Sequence, residues 1–254
     1  MPLFSHPRDT RLSFDPIAHI YRVDGTQVPW SVTSLVTKFE RQPFDADAQA
    51  RRLTGKGTGE YAGMSADEIK ASWTRRADLG TFMHEKLEDW TNGKPVSLRM
   101  EGAVDVDVAA GMVALRSLCQ TLNATPVAAE WRVWHDDGVA GTIDAVLLGE
   151  MGELHIVDWK RKKMPEGKWD KGYRQMLPPI DHLWDSPSTT IGLQLNAYRH
   201  IVERMYEMPV KTMWAVILHP ENSAPILTKQ IQRIDMDDVF ASVESGSSPQ
   251  SAQP

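Results

Sequence analysis

The sequence predicts an α/β domain with a mixed central β-sheet flanked by helices, plus an N-terminal β-hairpin, and three observations carry the prediction. Three β-prone segments between residues 127 and 158 follow one another across turn residues. Long helical patterns lie before and after them, and a further strand arrives only after the second of these helices. The order helix, meander, long loop, helix, strand describes helices packed on a mixed sheet.

Each element has a local cause. Residues 12–15 and 21–28 read as two short strands about Asp24-Gly25, a favoured hairpin turn, and 12–40 as hairpin and lead-in, with a helix beginning near Thr33. In 65–92, Ser65 with Glu68 makes a capping box and Asn92-Gly93 followed by Pro95 ends the helix, with Gly80 a place for a kink. A helix over 104–122 precedes strands at 127–135, 139–148 and 153–158, which the Asp137-Gly138 and Gly149–Gly152 turns join into a meander. Residues 161–189 mix prolines, lysines and aromatics without a period and read as a loop or lid, a length that is usually functional or disordered. A helix over 190–207, strands at 210–218 and 226–231 and a short helix from Met236 complete a single domain, 1–244. The almost wholly polar stretch 245–254 reads as a disordered tail.

Composition removes several function classes. The 254 residues are 41% hydrophobic and 24% charged, enough for a core, and no run approaches the roughly 20 apolar residues of a spanning helix. The start lacks the charged and apolar regions of a signal peptide, so the expectation is a soluble, cytoplasmic protein with no membrane partner. A single cysteine, Cys119, excludes a disulfide framework, a multi-cysteine zinc site and an iron–sulfur cluster, so any metal must be held by oxygen and imidazole. The net charge of −6 excludes coating of nucleic acid by bulk charge.

The strongest local signal is Ile156-Val157-Asp158-Trp159-Lys160, an apolar strand ending in a carboxylate and an ammonium that share one face. Such a pair can hold a divalent cation and set a positive charge beside it, with the Trp159 carbonyl as a further hard ligand; it equally suits a surface ion pair. Asp144 is an acid inside an apolar strand, so it must be paired, hydrogen-bonded, metal-bound or at the strand's exposed end. Antiparallel neighbours bring it near Asp158. Glu130 depends on register: a three-residue loop, Asp136-Asp137-Gly138, sets it opposite Asp144, whereas a two-residue loop turns it to the other face. Gly80, His84 and Glu88, spaced by four, line one helix face, where neutral imidazole is a good ligand. A zinc-protease motif is absent, because Glu88 stands where a second histidine is needed. Gln194 and Tyr198, one turn apart, suit a site edge as well as an ordinary amphipathic helix.

Charge adds an independent observation. Residues 160–174 carry Lys160, Arg161, Lys162, Lys163, Lys168, Lys171 and Arg174 against Glu166 and Asp170, a net +5 that leaves −11 for the rest. A basic stretch directly after three acids suits a polyanion held over a metal, with Arg75 and Arg76 as help from the His84 helix and with Trp169 and Tyr173 available to stack on unpaired bases.

The order Gly80-x-x-x-His84-x-x-Leu87-Glu88, Glu130, Gly141-Thr142-Ile143-Asp144, Val157-Asp158-Trp159-Lys160 and Gln194-x-x-x-Tyr198 resembles the PD-(D/E)XK nuclease superfamily, in particular its RecB-like and lambda-exonuclease-like branch. The resemblance spans most of residues 75–200 and implies a restriction-endonuclease-like core. It implies that His84, Asp144, Asp158 and the Trp159 carbonyl hold Mg²⁺ or Mn²⁺, one or two ions. It also implies that Lys160 orients or activates water and stabilises phosphate charge, and that Gln194 and Tyr198 border the site. The implied activity is hydrolysis of linear double-stranded DNA from an end, in recombination or repair, with an endonuclease or an inactive nucleic-acid-binding module as alternatives. Phage recombination exonucleases are similar in size and layout. Relatives include homo-oligomeric toroids and proteins that work with single-strand annealing or single-strand-binding partners, in a host's cytoplasm when phage-encoded. The chain departs from motor-linked relatives in lacking a Gly-x-x-x-x-Gly-Lys-Ser/Thr loop, so no nucleotide cofactor is expected.

Overall fold

The computed structural model describes residues 5–42, 44–56, 59–98 and 103–244; the 245–254 tail lies outside the described residues. After a 3-10 turn, Pro7–Arg11, the chain forms a small antiparallel sheet of β1 (Leu12–Asp15), β2 (Ile20–Val23) and β3 (Thr26–Gln27). The expected Asp24-Gly25 turn joins β2 to β3, dividing the expected 21–28 strand in two, and β1, at the expected 12–15, pairs with β2 so that Leu12 lies opposite Val23. Short β4 (Trp30–Ser31) leads into α1 (Val32–Thr37), which Ser31 caps. Then come α2 (Ala46–Thr54) and the long α3 (Ala66–Thr91), where Ser65 and Glu68 make the reciprocal capping bonds; α3 runs unbroken through Gly80. Next is α4 (Ala103–Leu122).

The main sheet is six-stranded and mixed. β5 (Ala124–His135), β6 (Val139–Gly149) and β7 (Leu154–Arg161) form the antiparallel meander. Across α5 (Pro187–Met205) the chain returns in β8 (Val210–Leu218), parallel to β7, and β9 (Ile226–Gln230) closes the edge before α6 (Asp237–Glu244). Alternation along β7 shows burial on both faces: Leu154 and Ile156 join the core shared with α1, α5 and α6, whereas Val157 and Trp159 join the core beneath α3 and α4. Close approach of α3 and α4 requires Gly111, since a Cβ there would lie 2.9 Å from the Leu87 methyls. Among the described residues, no helix is long and apolar enough to cross a membrane.

One irregularity positions the site. Along one edge β6 pairs with β5 from Val139 to Gly149, with a register shift between Pro126 and Ala128, while the other is shared, β4 pairing at Val139 and Ala140 and β7 only from Ala145 onward. The stretch Gly141–Asp144 therefore lacks a strand partner on that side, and β6 and β7 open into a notch.

The 161–189 stretch has more order than a lid. Asp185 N–H donates to the Arg174 carbonyl at 2.7 Å, Gln175 bridges Trp184 and Met176 N–H donates to the Leu183 carbonyl at 2.9 Å, making an antiparallel finger. Buried Met176 and Ile180 and a 2.8 Å bond from Leu177 N–H to the Phe39 carbonyl pin it to the body.

Candidate metal centre

Asp144 sits in the notch between β6 and β7. Its Oδ2 accepts the N–H of Trp159 at 2.7 Å, replacing the backbone partner that a continuing ladder would supply. Strand geometry sends a residue's N–H and C=O to the same side, so the Trp159 carbonyl is aimed at the notch as well. Glu130 realises the three-residue-loop alternative: His135 pairs Val139, and Glu130 falls between the Trp131–Ile143 and Ala129–Ala145 pairs, opposite Asp144. Its backbone is left-handed, with φ +50°, a conformation costing a non-glycine residue roughly 1–2 kcal/mol and typical of residues that structure holds in place for function.

His84 reaches these acids from α3. Its Nδ1 lies 3.6 Å from Asp144 Oδ1 and 3.9 Å from Glu130 Oε1, and one ligand atom from each of the three residues falls within 4.8 Å of the others. Burial opposes charge on the imidazole, but Asp144 and Glu130 outweigh it and raise its pKa to about 10. Burial likewise works to raise Asp144, yet His84, Lys160 and the Trp159 N–H prevail and hold that carboxyl below its ordinary range.

Asp158 is only 2% exposed. Its Oδ1 accepts Lys160 Nζ at 2.8 Å, whereas its Oδ2 is buried with no hydrogen-bond partner among the described residues. Burial first, and then the Asp144 charge, raise its pKa to about 6. Lys160 is driven the other way: burial would lower it, but Asp158 and Asp144 raise it above the ordinary lysine value. An orphaned carboxylate oxygen, two more carboxylates and an imidazole are groups that could hold a hard divalent cation, and this mixture suits Mn²⁺ or Mg²⁺. The tight three-residue cluster is thus His84, Glu130 and Asp144, and Asp158 stands next to it on the lysine's side.

Lys160 opens into a cleft of about 570 Å³ lined also by Gln194, Lys162, Lys168, Lys171 and Tyr173. Gln194 Nε2 donates to Tyr198 Oη at 3.3 Å, and Tyr198, 4% exposed, packs against Gly141. Tyr198 therefore positions the glutamine and does not border the cleft. Gly141 is required at that contact, because a Cβ would lie 2.7 Å from Tyr198 Cε1.

Other expected substrate contacts fall elsewhere. Arg161 points to the opposite face of β7 from Lys160, where its Nε donates to Asp107 Oδ2 at 2.7 Å in a buried ion pair. Lys163 pairs with Glu221, and Arg76 with Glu60 and the Tyr61 hydroxyl; Arg75 lies exposed on α3. Arg174 donates to Gln42, outside the Lys160 cleft. Trp169 is partly buried against the core, whereas Tyr173 is open. At Gly80 a Cβ would meet nothing nearer than Arg161 Cβ at 4.0 Å.

Sequence reasoning left out two acids and gave no role to a third that it had placed on the His84 face, Glu88. Burial and then Glu130 raise the pKa of Glu88, which its spacing of four from His84 had flagged. Glu40 and Asp185 line the Lys160 cleft and carry no sequence signal.

No family model matches this chain, and no curated protein matches it. A solved structure, that of SSO0001, is similar over 85% of this chain and 73% of its own at 16% identity, but with a TM-score of 0.33 the likeness carries no weight.

Proposed function

We propose that this chain is a metal-dependent DNA exonuclease of the PD-(D/E)XK type, hydrolysing phosphodiester bonds of linear double-stranded DNA from an end in recombination or repair. The supporting observation is the convergence of His84, Glu130 and Asp144 beside an Asp158 whose buried Oδ2 lacks a partner, with Lys160 between that carboxylate and a cationic cleft. His84, Glu130, Asp144, Asp158 and the Trp159 carbonyl would hold Mg²⁺ or Mn²⁺, which supplies Lewis-acid activation of water and neutralisation of phosphate charge.

The chain's own residues supply the rest. Lys160, held by Asp158 Oδ1 at 2.8 Å and open to the cleft, orients or activates the attacking water and donates to a phosphate oxygen, where charge grows in the transition state. Asp158 Oδ1 fixes the ammonium and leaves Oδ2 for the cation. Gln194, steadied by Tyr198, offers an amide to substrate at the cleft wall, and Lys162, Lys168 and Lys171 attract the backbone without reading sequence.

The test incubates the protein and its Asp158→Ala variant with matched linear and covalently closed circular DNA in Mg²⁺, Mn²⁺ or EDTA. The expected result is loss of linear DNA alone, requiring metal and Asp158. Cutting of the circle would make it an endonuclease, full cleavage by Asp158→Ala would refute the assigned mechanism, and salt-sensitive binding without turnover would indicate a binding module.

A further inference from the structure

Tyr173 lines the Lys160 cleft, and its neighbour in the chain, Arg174, lines a second cleft. This second cleft, about 540 Å³, is lined by Phe44, Arg52 and Arg174 together with Gln42, Asp45 and Gln49. Consecutive residues of one segment thus wall both clefts. Arg174 donates to Gln42, and Arg41 Nε donates to the Gln175 carbonyl at 3.3 Å, which ties this segment to the stretch leading into α2.

Two aromatic rings lie open, Tyr173 on the first cleft at 72% and Phe44 on the second at 69% exposure. Phe44 is held by an edge contact with Trp73, ring centroids 5.4 Å apart, so it is anchored while most of its surface meets solvent. Across the two clefts six cationic side chains face three carboxylates, and one of those, Asp45, is turned to cap α2, accepting Ala48 N–H at 2.9 Å. Open rings set among cations match a polyanion with exposed π-faces. Duplex DNA offers phosphates and base edges but hides its base faces, whereas an unpaired strand offers both phosphates and faces. An apolar peptide would use the rings but not the cations.

We propose that the Phe44 cleft continues the strand path from the Lys160 cleft and binds a single DNA strand, with Tyr173 and Phe44 stacking on unpaired bases and Arg52 and Arg174 on phosphates. The inference rests on the nuclease reading above and adds the form of DNA that this side of the site takes.

The test is fluorescence anisotropy in EDTA with a labelled twelve-nucleotide oligothymidylate and a blunt duplex of the same length, on the full chain. Phe44→Ala is expected to weaken the single strand about tenfold with an unchanged salt slope, and Phe44→Trp to restore it. Arg52→Gln is expected to flatten the salt slope by about 0.7, one single-strand phosphate contact. Duplex affinity should change less than twofold in each variant. Unchanged single-strand affinity in Phe44→Ala, or equal losses on strand and duplex, overturns the proposal. If the wild type cleaves linear DNA with metal while Phe44→Ala binds the strand normally, only this inference fails; if the wild type neither binds nor cleaves DNA, the nuclease reading fails with it.

Discussion

Replacing Arg161 by methionine separates a structural arginine from a DNA-binding one. Its guanidinium side chain is 6% exposed and the Asp107 carboxylate 2%, joined at 2.7 Å between β7 and α4. Without the arginine, Asp107 is left charged in a buried site or must take up a proton. Burial already raises its pKa more than Arg161 lowers it, so protonation is the cheaper course. Protonating a carboxyl of unfolded pKa 3.9 at pH 7 costs about 4 kcal/mol, within the 3–5 expected for removing one partner of a buried pair. At pH 5 the cost is about 1.5 kcal/mol. The sign follows from the raised folded-state pKa: the folded variant binds a proton that the unfolded chain lacks, so its stability is present at low pH and is lost as pH rises. His219, held below its ordinary pKa by burial and then by Arg161, gains a proton more easily in the variant and narrows the acid-side deficit further. Urea unfolding of wild type and Arg161→Met at pH 7 and pH 5 measures both numbers. The double variant Arg161→Met/Asp107→Leu, with no charge left to strand, should return to within about 1 kcal/mol of wild type and keep the DNA cleavage proposed above. A deficit below 1 kcal/mol at pH 7, a deficit independent of pH, or a stable double variant that no longer cleaves DNA would refute the assignment.

Two further outcomes follow from the packing. Gly141→Ala sets a methyl between the Tyr198 ring and Val32, at 2.7 and 3.0 Å, and should cost about 1–3 kcal/mol while loosening Gln194 from the Tyr198 hydroxyl; an unchanged melting temperature would contradict that contact. His200, 7% exposed, stacks on Phe240 and has its pKa lowered to about 4 by burial and then by His135. Because the unfolded ring titrates near 6.5, stability is full above that pH and falls by about 3 kcal/mol as pH drops to 4. His200→Gln should remove this slope from urea midpoints followed against pH, and parallel curves would exclude it.

What could be read from the residues alone was local. The Ser65–Glu68 capping box, the Asn92-Gly93 stop, the Gly149–Gly152 turn and the limits of β8 depend on neighbours a few residues away, and the structure has them where expected. The pairing of Asp158 with Lys160 was legible too, because a strand's period of two is a property of the backbone itself. Residue type and spacing could not say which way a side chain is carried once strands curve and part. Glu130 could face either side until a three-residue loop and a left-handed backbone settled it. Arg161 read as one more cation of a basic run, yet its odd place in β7 turns it to Asp107, seated by a helix more than fifty residues upstream. The notch that exposes Asp144 arises because β4 and β7 share one edge of β6 and leave a gap between them. Local patterns thus named the groups able to do chemistry, while the meeting of distant segments decided which of them meet, because burial and Coulomb forces act across space and not along the chain.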